Sequence, residues 1–331
     1  MDPNLYQAAR QLPPGDARVA QLYRLATSPA HPETLAEKTR KALFMVAALL
    51  LASGLIFWIA ANWQEQSRLF RLGLIEAALA ASVLLACLWP RARLAALLCA
   101  TLVLGGLLAF VGQTYQTGAD AWQLFAVWAG LALVWVCLAR SDLLWCLWVL
   151  IAATGIVMWT GRFDLWNVFS NGSESPARTF VNMGLWLLLA VVPALVSLVP
   201  ALRVHGGMGW WSHRVALAWA LLVWASIGLV RLFDDGVVMD PVQLLALVLV
   251  AAALGLSWKG RFQDFSSLCM AALAINALLL APLLRWLFNF GGLEAMALFG
   301  VVETVVLGVS LSWLLAQKKR MQAQALQQEV V

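Results

Sequence analysis

The chain has 331 residues, of which 63% are hydrophobic and only 12% charged, and its mean hydropathy is +0.82. That balance cannot clothe a water-soluble surface and places most of the chain in a bilayer. The net charge of +5 is scattered through short connections and not gathered on one face, which speaks against a nucleic-acid partner.

In chain order, residues 1–41 are polar, with a helix-like period at Val19, Leu22, Tyr23 and Ala26 after the turn Pro13-Pro14-Gly15-Asp16. They are too few to build a core. They are expected to form a short amphipathic helical segment on the cytoplasmic side, with Pro32-Glu33 starting the helix that feeds the first span. Ten apolar segments follow, at roughly 42–63, 69–89, 94–112, 121–139, 143–160, 179–200, 214–233, 241–258, 265–287 and 294–316, each close to the length a helix needs to cross hydrocarbon. The first begins too far from the N-terminus for a secretory signal. The predicted fold is therefore all-α: a polytopic transmembrane helical bundle over 42–316, followed by a cytoplasmic tail at 317–331.

An even number of spans puts both termini on one side. The termini and alternate loops hold all of the 22 Lys and Arg except Arg68, Arg71, Arg162, Arg178, Arg231 and Arg285. By the positive-inside rule both termini face the cytoplasm. The opposite loops carry much of the acid: Asp120, Asp164, Glu174, Asp234, Asp235 and Asp240. Asp240 before Pro241 also reads as an N-cap with proline in the first turn. The longest of those loops runs from Gly161 to Arg178. Eighteen Trp against three Tyr suit interfacial rings together with some packed between helices. Cys87, Cys99, Cys137, Cys146 and Cys269 all fall inside apolar runs without metal-ligand spacing and read as small buried hydrophobes. His31, His205 and His213 lie outside the predicted spans. No metal and no cofactor is expected.

Two blocks carry a resemblance. "FWIAANWQEQSRLFRLGLIEA", Phe57 to Ala77, ends an apolar span in an Asn-Trp pair, and "LGGLLAFVGQTYQTGADAWQLFAVWAGLALVWVCLARSDLLW", Leu104 to Trp145, runs a span into a Gln-x-Tyr-x-x-Gly-x-Asp turn. Both are similar to a family of bacterial polytopic membrane proteins known as domain of unknown function 2157, at Asn62, Trp63, Arg71, Gln113, Tyr115, Gly118 and Asp120. The resemblance covers the first four or five spans. It implies a multi-pass protein of the bacterial inner membrane, and no residue role comes with it.

An ionised side chain at the centre of a bilayer costs about 2.5 to 3.5 kcal/mol on insertion scales, so each one asks for a partner. Glu76 shares its helical face with Gly73, Ala77 and Ala80, and Glu303 stands beside Gly300, Thr304, Gly308 and Ser312; small residues there imply that both carboxylates face neighbouring helices. Arg231 and Arg285 fall near the same outer boundary. Together Glu76, Glu303, Arg231 and Arg285 form a candidate ligand or proton site, with Asn62, Gln113, Tyr115, Gln116, Asp120, Asn182 and Asn276 as a candidate rim. The rival reading is that Glu–Arg pairs and amide hydrogen bonds lock helices together. The polar island at 110–123 divides the same way. It is a turn, with Thr117-Gly118 ending span three and Asp120 capping span four, or it is a pocket rim.

No GxSxG, phosphate loop, HExxH or dinucleotide turn is present, so the motifs give no support to enzyme chemistry and no catalytic residue is assigned. The functional expectation is an inner-membrane protein that binds or transports a small solute or lipid through an outward-opening polar pocket. The alternative is a non-catalytic scaffold or regulatory subunit. Expected partners are the lipid bilayer, a small solute or lipid, and a membrane protein or second copy of the chain.

Overall fold

The computed structural model describes residue 19 and residues 32–62, 66–115, 118, 120–160, 176–204, 209–233, 240–260, 262–290 and 293–330. Among these the elements are all helices: α1 (Pro32–Ala61), α2 (Arg68–Leu88), α3 (Arg93–Tyr115), α4 (Ala121–Ala139), α5 (Asp142–Thr160), α6 (Pro176–Val196), α7 (Trp210–Phe233), α8 (Pro241–Trp258), α9 (Phe265–Phe290) and α10 (Leu293–Val330). Among the described residues ten helices are long and apolar enough to cross a membrane, the number expected. Such a fold is forced by the solvent, since hydrocarbon offers no partner to a backbone amide and a helix satisfies its own.

The helix ends follow local chemistry. Helix α1 starts at Pro32, where the sequence places it. Ser67 caps α2 by accepting from the Phe70 amide at 3.2 Å, and Asp240 caps α8 by accepting from the Val242 amide at 2.9 Å, with Pro241 in the first turn. Asp120 stands at the N-cap of α4 but its side chain makes no cap bond; its Oδ2 accepts from the Trp122 indole at 3.3 Å instead. Helix α3 ends at Tyr115, and Gly118 turns the chain at φ 64, a left-handed conformation that glycine adopts without penalty. The C-terminal helix takes in the segment expected as a tail. It runs on to Val330 as one element, because the Ala, Gln, Lys and Leu after Leu315 are strong helix formers with no breaker among them.

The chain divides into two compact units, residues 1–110 and 111–331. In the first, α2 buries the stripe Arg71, Ile75, Ser82 and Ala86. A Cβ on Gly106 of α3 would lie 3.3 Å from the Ile56 side chain of α1, so these two helices touch there. The expected amphipathic segment before Pro32 lies, Val19 apart, outside the described residues.

In the second unit α7 packs against α5, α6, α8 and α9 and is the central helix. Its Ala216, Ala220 and Trp224 are at most 2% exposed, and alanines at four-residue spacing let neighbouring backbones approach. The closest approach is at Gly228. A Cβ there would meet the Leu278 side chain of α9 at 2.7 Å and Cβ of Ala246 on α8 at 3.2 Å, whereas Gly255 on α8 has nothing within 4 Å. Gly228→Leu should therefore lower stability in detergent by about 1 to 3 kcal/mol through overpacking, while Gly255→Leu leaves the unfolding midpoint unchanged or raises it. Paired thermal melts of the two variants check this.

Candidate functional site

An apolar groove of about 380 Å³ lies in the second unit between α4, α5 and α6. Its floor is made by small residues, Ala126 and Ala129 of α4 with Ala152 and Gly155 of α5. Gly155 is small for a reason, since a Cβ there would stand 3.1 Å from Cβ of Phe125. Bulky residues line the two ends, Trp122 with Trp159 and Leu133 with Trp148, and α6 supplies Leu185, Leu188 and Val192 as the far wall. On each of α4 and α5 the lining recurs every three or four residues, the spacing of one helical face. From Trp122 to Leu133 the groove spans about 16 Å at about 1.5 Å rise per residue.

Hydrogen bonds between the helices fix the walls. The Trp148 indole donates to the Ala129 carbonyl at 2.9 Å, tying α5 to α4. At the other end Arg178, in the first turn of α6, lays its guanidinium over the Trp159 ring, 5.5 Å from the centroid, and donates to the Trp159 carbonyl at 3.3 Å. Arg178 itself is exposed. Leu188 is 58% exposed, which leaves the groove open along its side.

A polar network holds the opposite end of the same unit. The Asp142 carboxylate, at the start of α5, accepts from the backbone amides of Trp211 and Ser212 at 2.9 and 3.0 Å, capping α7 from outside with a negative charge where the helix dipole favours one. Gly209 makes room, since a Cβ there would lie 2.7 Å from Asp142 Oδ1. Arg214 of α7 meets Asp264, just before α9, in a two-pronged pair at 2.6 and 3.0 Å. The Ser267 amide and hydroxyl donate to Asp264 Oδ2 at 2.9 and 2.8 Å. Arg140, at φ 53, is held by donating to the Arg203 carbonyl at 2.6 Å.

The residues singled out from the sequence are divided between the two units. Glu76 belongs to the first unit and lies with Gly73, Ala77 and Ala80 on an exposed face, because α2 turns the Arg71 and Ile75 stripe inward instead. Arg71, 7% exposed, stacks 5.8 Å from the Phe110 ring centroid. Glu303 is half-buried on α10, and Gly300, Thr304, Gly308 and Ser312 beside it are exposed. Arg231 pairs with Asp240 at 3.7 Å and donates to the Thr179 hydroxyl at 3.4 Å. Asn182, 3% exposed, follows Thr179 on the buried face of α6. Arg285 is half-buried late in α9.

Asn276 Nδ2 donates to Ser310 Oγ at 2.9 Å, tying α9 to α10. Asn62 Nδ2 donates back to the Trp58 carbonyl of its own helix at 2.8 Å. Gln113 and Tyr115 are exposed at the end of α3, and Asp120 is exposed before α4. Gln116 and Thr117 lie outside the described residues, as do Asp164, Glu174, Asp234 and Asp235. The cysteines are less enclosed than expected, with Cys87 exposed and the other four half-buried, because on these helices alanine, leucine and tryptophan fill the innermost positions.

Two features went unread in the sequence though their signals are there. The groove is written as Trp-x3-Ala-x2-Ala-x3-Leu on α4 and Trp-x3-Ala-x2-Gly-x3-Trp on α5. Asp142 and Asp264 are acids at span ends on the side where the other loop charges are basic, and each meets a cationic or amide partner from α7.

Fold and groove define a polytopic helical membrane protein. Residues 13–145 match the model of a family described as a predicted membrane protein, DUF2157, so the resemblance carried by Asn62, Arg71 and the Gln113-to-Asp120 turn holds over that stretch. No curated protein and no solved structure matches the chain.

Burial pushes the Asp264 carboxyl up, but the bonds from Arg214 and from the Ser267 amide and hydroxyl outweigh it and hold the group below the ordinary carboxylate range. A depressed folded pKa stabilises the fold fully above the unfolded value of about 3.9 and stops doing so as pH falls through the folded value. Asp264→Asn should thus lower stability at neutral pH by about 2 to 3 kcal/mol. The gap between variant and parent should close as pH drops below about 4, which unfolding midpoints taken across pH will read.

Proposed function

We propose that this chain is a lipid-binding protein of the membrane, holding one bilayer lipid in the groove between α4, α5 and α6. The observation that carries the reading is the groove itself. It is lined by apolar side chains and open along its side at Leu188. Its length of about 16 Å is that of one leaflet, about half of a hydrocarbon core about 30 Å thick. A solute drawn from water would need polar groups to fix its orientation, and the groove floor is alanine and glycine. An acyl chain asks for nothing else.

The setting proposed with it is the cytoplasmic membrane of a bacterium, both termini inside, supported by the distribution of Lys and Arg over alternate loops. In that orientation the Trp122 and Trp159 end of the groove faces the outer leaflet. Transport through a polar pocket draws less support, because Arg231 is engaged with Asp240 and Thr179.

Filling the groove is the test. Ala126→Phe with Ala152→Phe places two rings on its floor at positions that are exposed and half-buried, so the fold should tolerate them. Native mass spectrometry of the protein in a gentle detergent should find a bound lipid on the parent chain and none on the double variant. Lipid retained equally by both would remove the groove as its seat.

A further inference from the structure

We propose that the groove selects a glycerophospholipid by its phosphate, with Arg178 as the phosphate contact; this rests on the lipid reading above and names the class of lipid. Two observations meet at the mouth. Trp122 and Trp159 flank that end of the groove, and indole rings sit at the level of lipid headgroups and glycerol esters. Arg178 is anchored there by the Trp159 ring and carbonyl, so its guanidinium is fixed beside the opening without being enclosed. A guanidinium presents five N–H donors, and a bond to one carbonyl leaves a planar fork suited to phosphate oxygens. An acyl chain lying along Ala126, Ala129, Ala152 and Gly155 would bring its glycerol and phosphate out at that end.

The mouth also carries an acid. Asp120 Oδ2 accepts from the indole of Trp122 at 3.3 Å, which places a negative charge near the same opening. Selection is therefore for a phosphate and not for net negative charge. A headgroup that pairs its phosphate with an ammonium suits both signs, and this makes phosphatidylethanolamine the appropriate probe. Arg178 is exposed, and its bond to the Trp159 carbonyl and its stacking on that ring are one tie among several between α5 and its neighbours. Replacing it leaves the ties at Trp148, Asp142 and Asp264 in place.

The experiment titrates delipidated full-length protein with phosphatidylethanolamine and with a diacylglycerol bearing the same two chains, and reads bound lipid by native mass spectrometry. Phosphatidylethanolamine should bind about fivefold more tightly, the upper end of what one solvent-exposed ion pair contributes. Arg178→Gln should abolish that preference while still binding both lipids, and Arg178→Lys should keep most of it. Equal affinity of the parent protein for the two lipids, or a preference that survives in Arg178→Gln, overturns the phosphate assignment and leaves the groove standing. Undiminished binding of both lipids to the Ala126→Phe, Ala152→Phe protein overturns the groove and the phosphate assignment with it.

Discussion

A polar group inside hydrocarbon has no water to turn to, and the arrangement of the second unit follows from how its few polar groups find one another. Helix α7 is where most of them meet. Asp142 reaches its first amides from α5, Arg214 joins it to the segment before α9, the Trp224 indole donates to the Met183 carbonyl of α6 at 3.2 Å, and Arg231 links it to Asp240 and Thr179. Because lipid tails are as apolar as leucine, helices in a membrane gain little from hiding apolar surface against each other. Close packing of small residues and such interhelical bonds must do that work.

The groove is the complement of this packing. Where α7 brings neighbours close, alanine and glycine are filled by the opposing helix, as at Gly228 with Leu278 and Ala246. On α4 and α5 the same kinds of residue, Ala126, Ala129 and Ala152, are left facing a space with α6 standing off at Leu185 and Leu188. Trp148 keeps that space apolar by turning its one donor onto the Ala129 carbonyl. An apolar channel follows, with Arg178 beside its Trp159 end.

Ten spans were legible in the sequence because hydrocarbon thickness sets a length that few residues can counterfeit, and the Asp240-Pro241 cap and the start at Pro32 were legible because both are local chemistry. The site was not, and the reason is geometric. One helix read alone cannot say which of its faces is covered: Glu76 sits one residue from the buried Ile75 and comes out on the exposed side. Asp264 and Arg214 are 50 residues apart, and nothing local pairs them. The groove needs α4 and α5 laid antiparallel before Trp122 meets Trp159 and the two small-residue stripes become one floor.

The most direct test of the lipid seat is photo-crosslinking with a phospholipid that carries a diazirine on one acyl chain, in proteoliposomes of the full chain, followed by peptide mapping. The account predicts that label concentrates on the peptides bearing Ala126, Ala152 and Leu188 and is lost from them when excess unlabelled phospholipid is added. Label spread evenly over exposed apolar helix faces such as those of α1, α8 and α10, and insensitive to competitor, would contradict it.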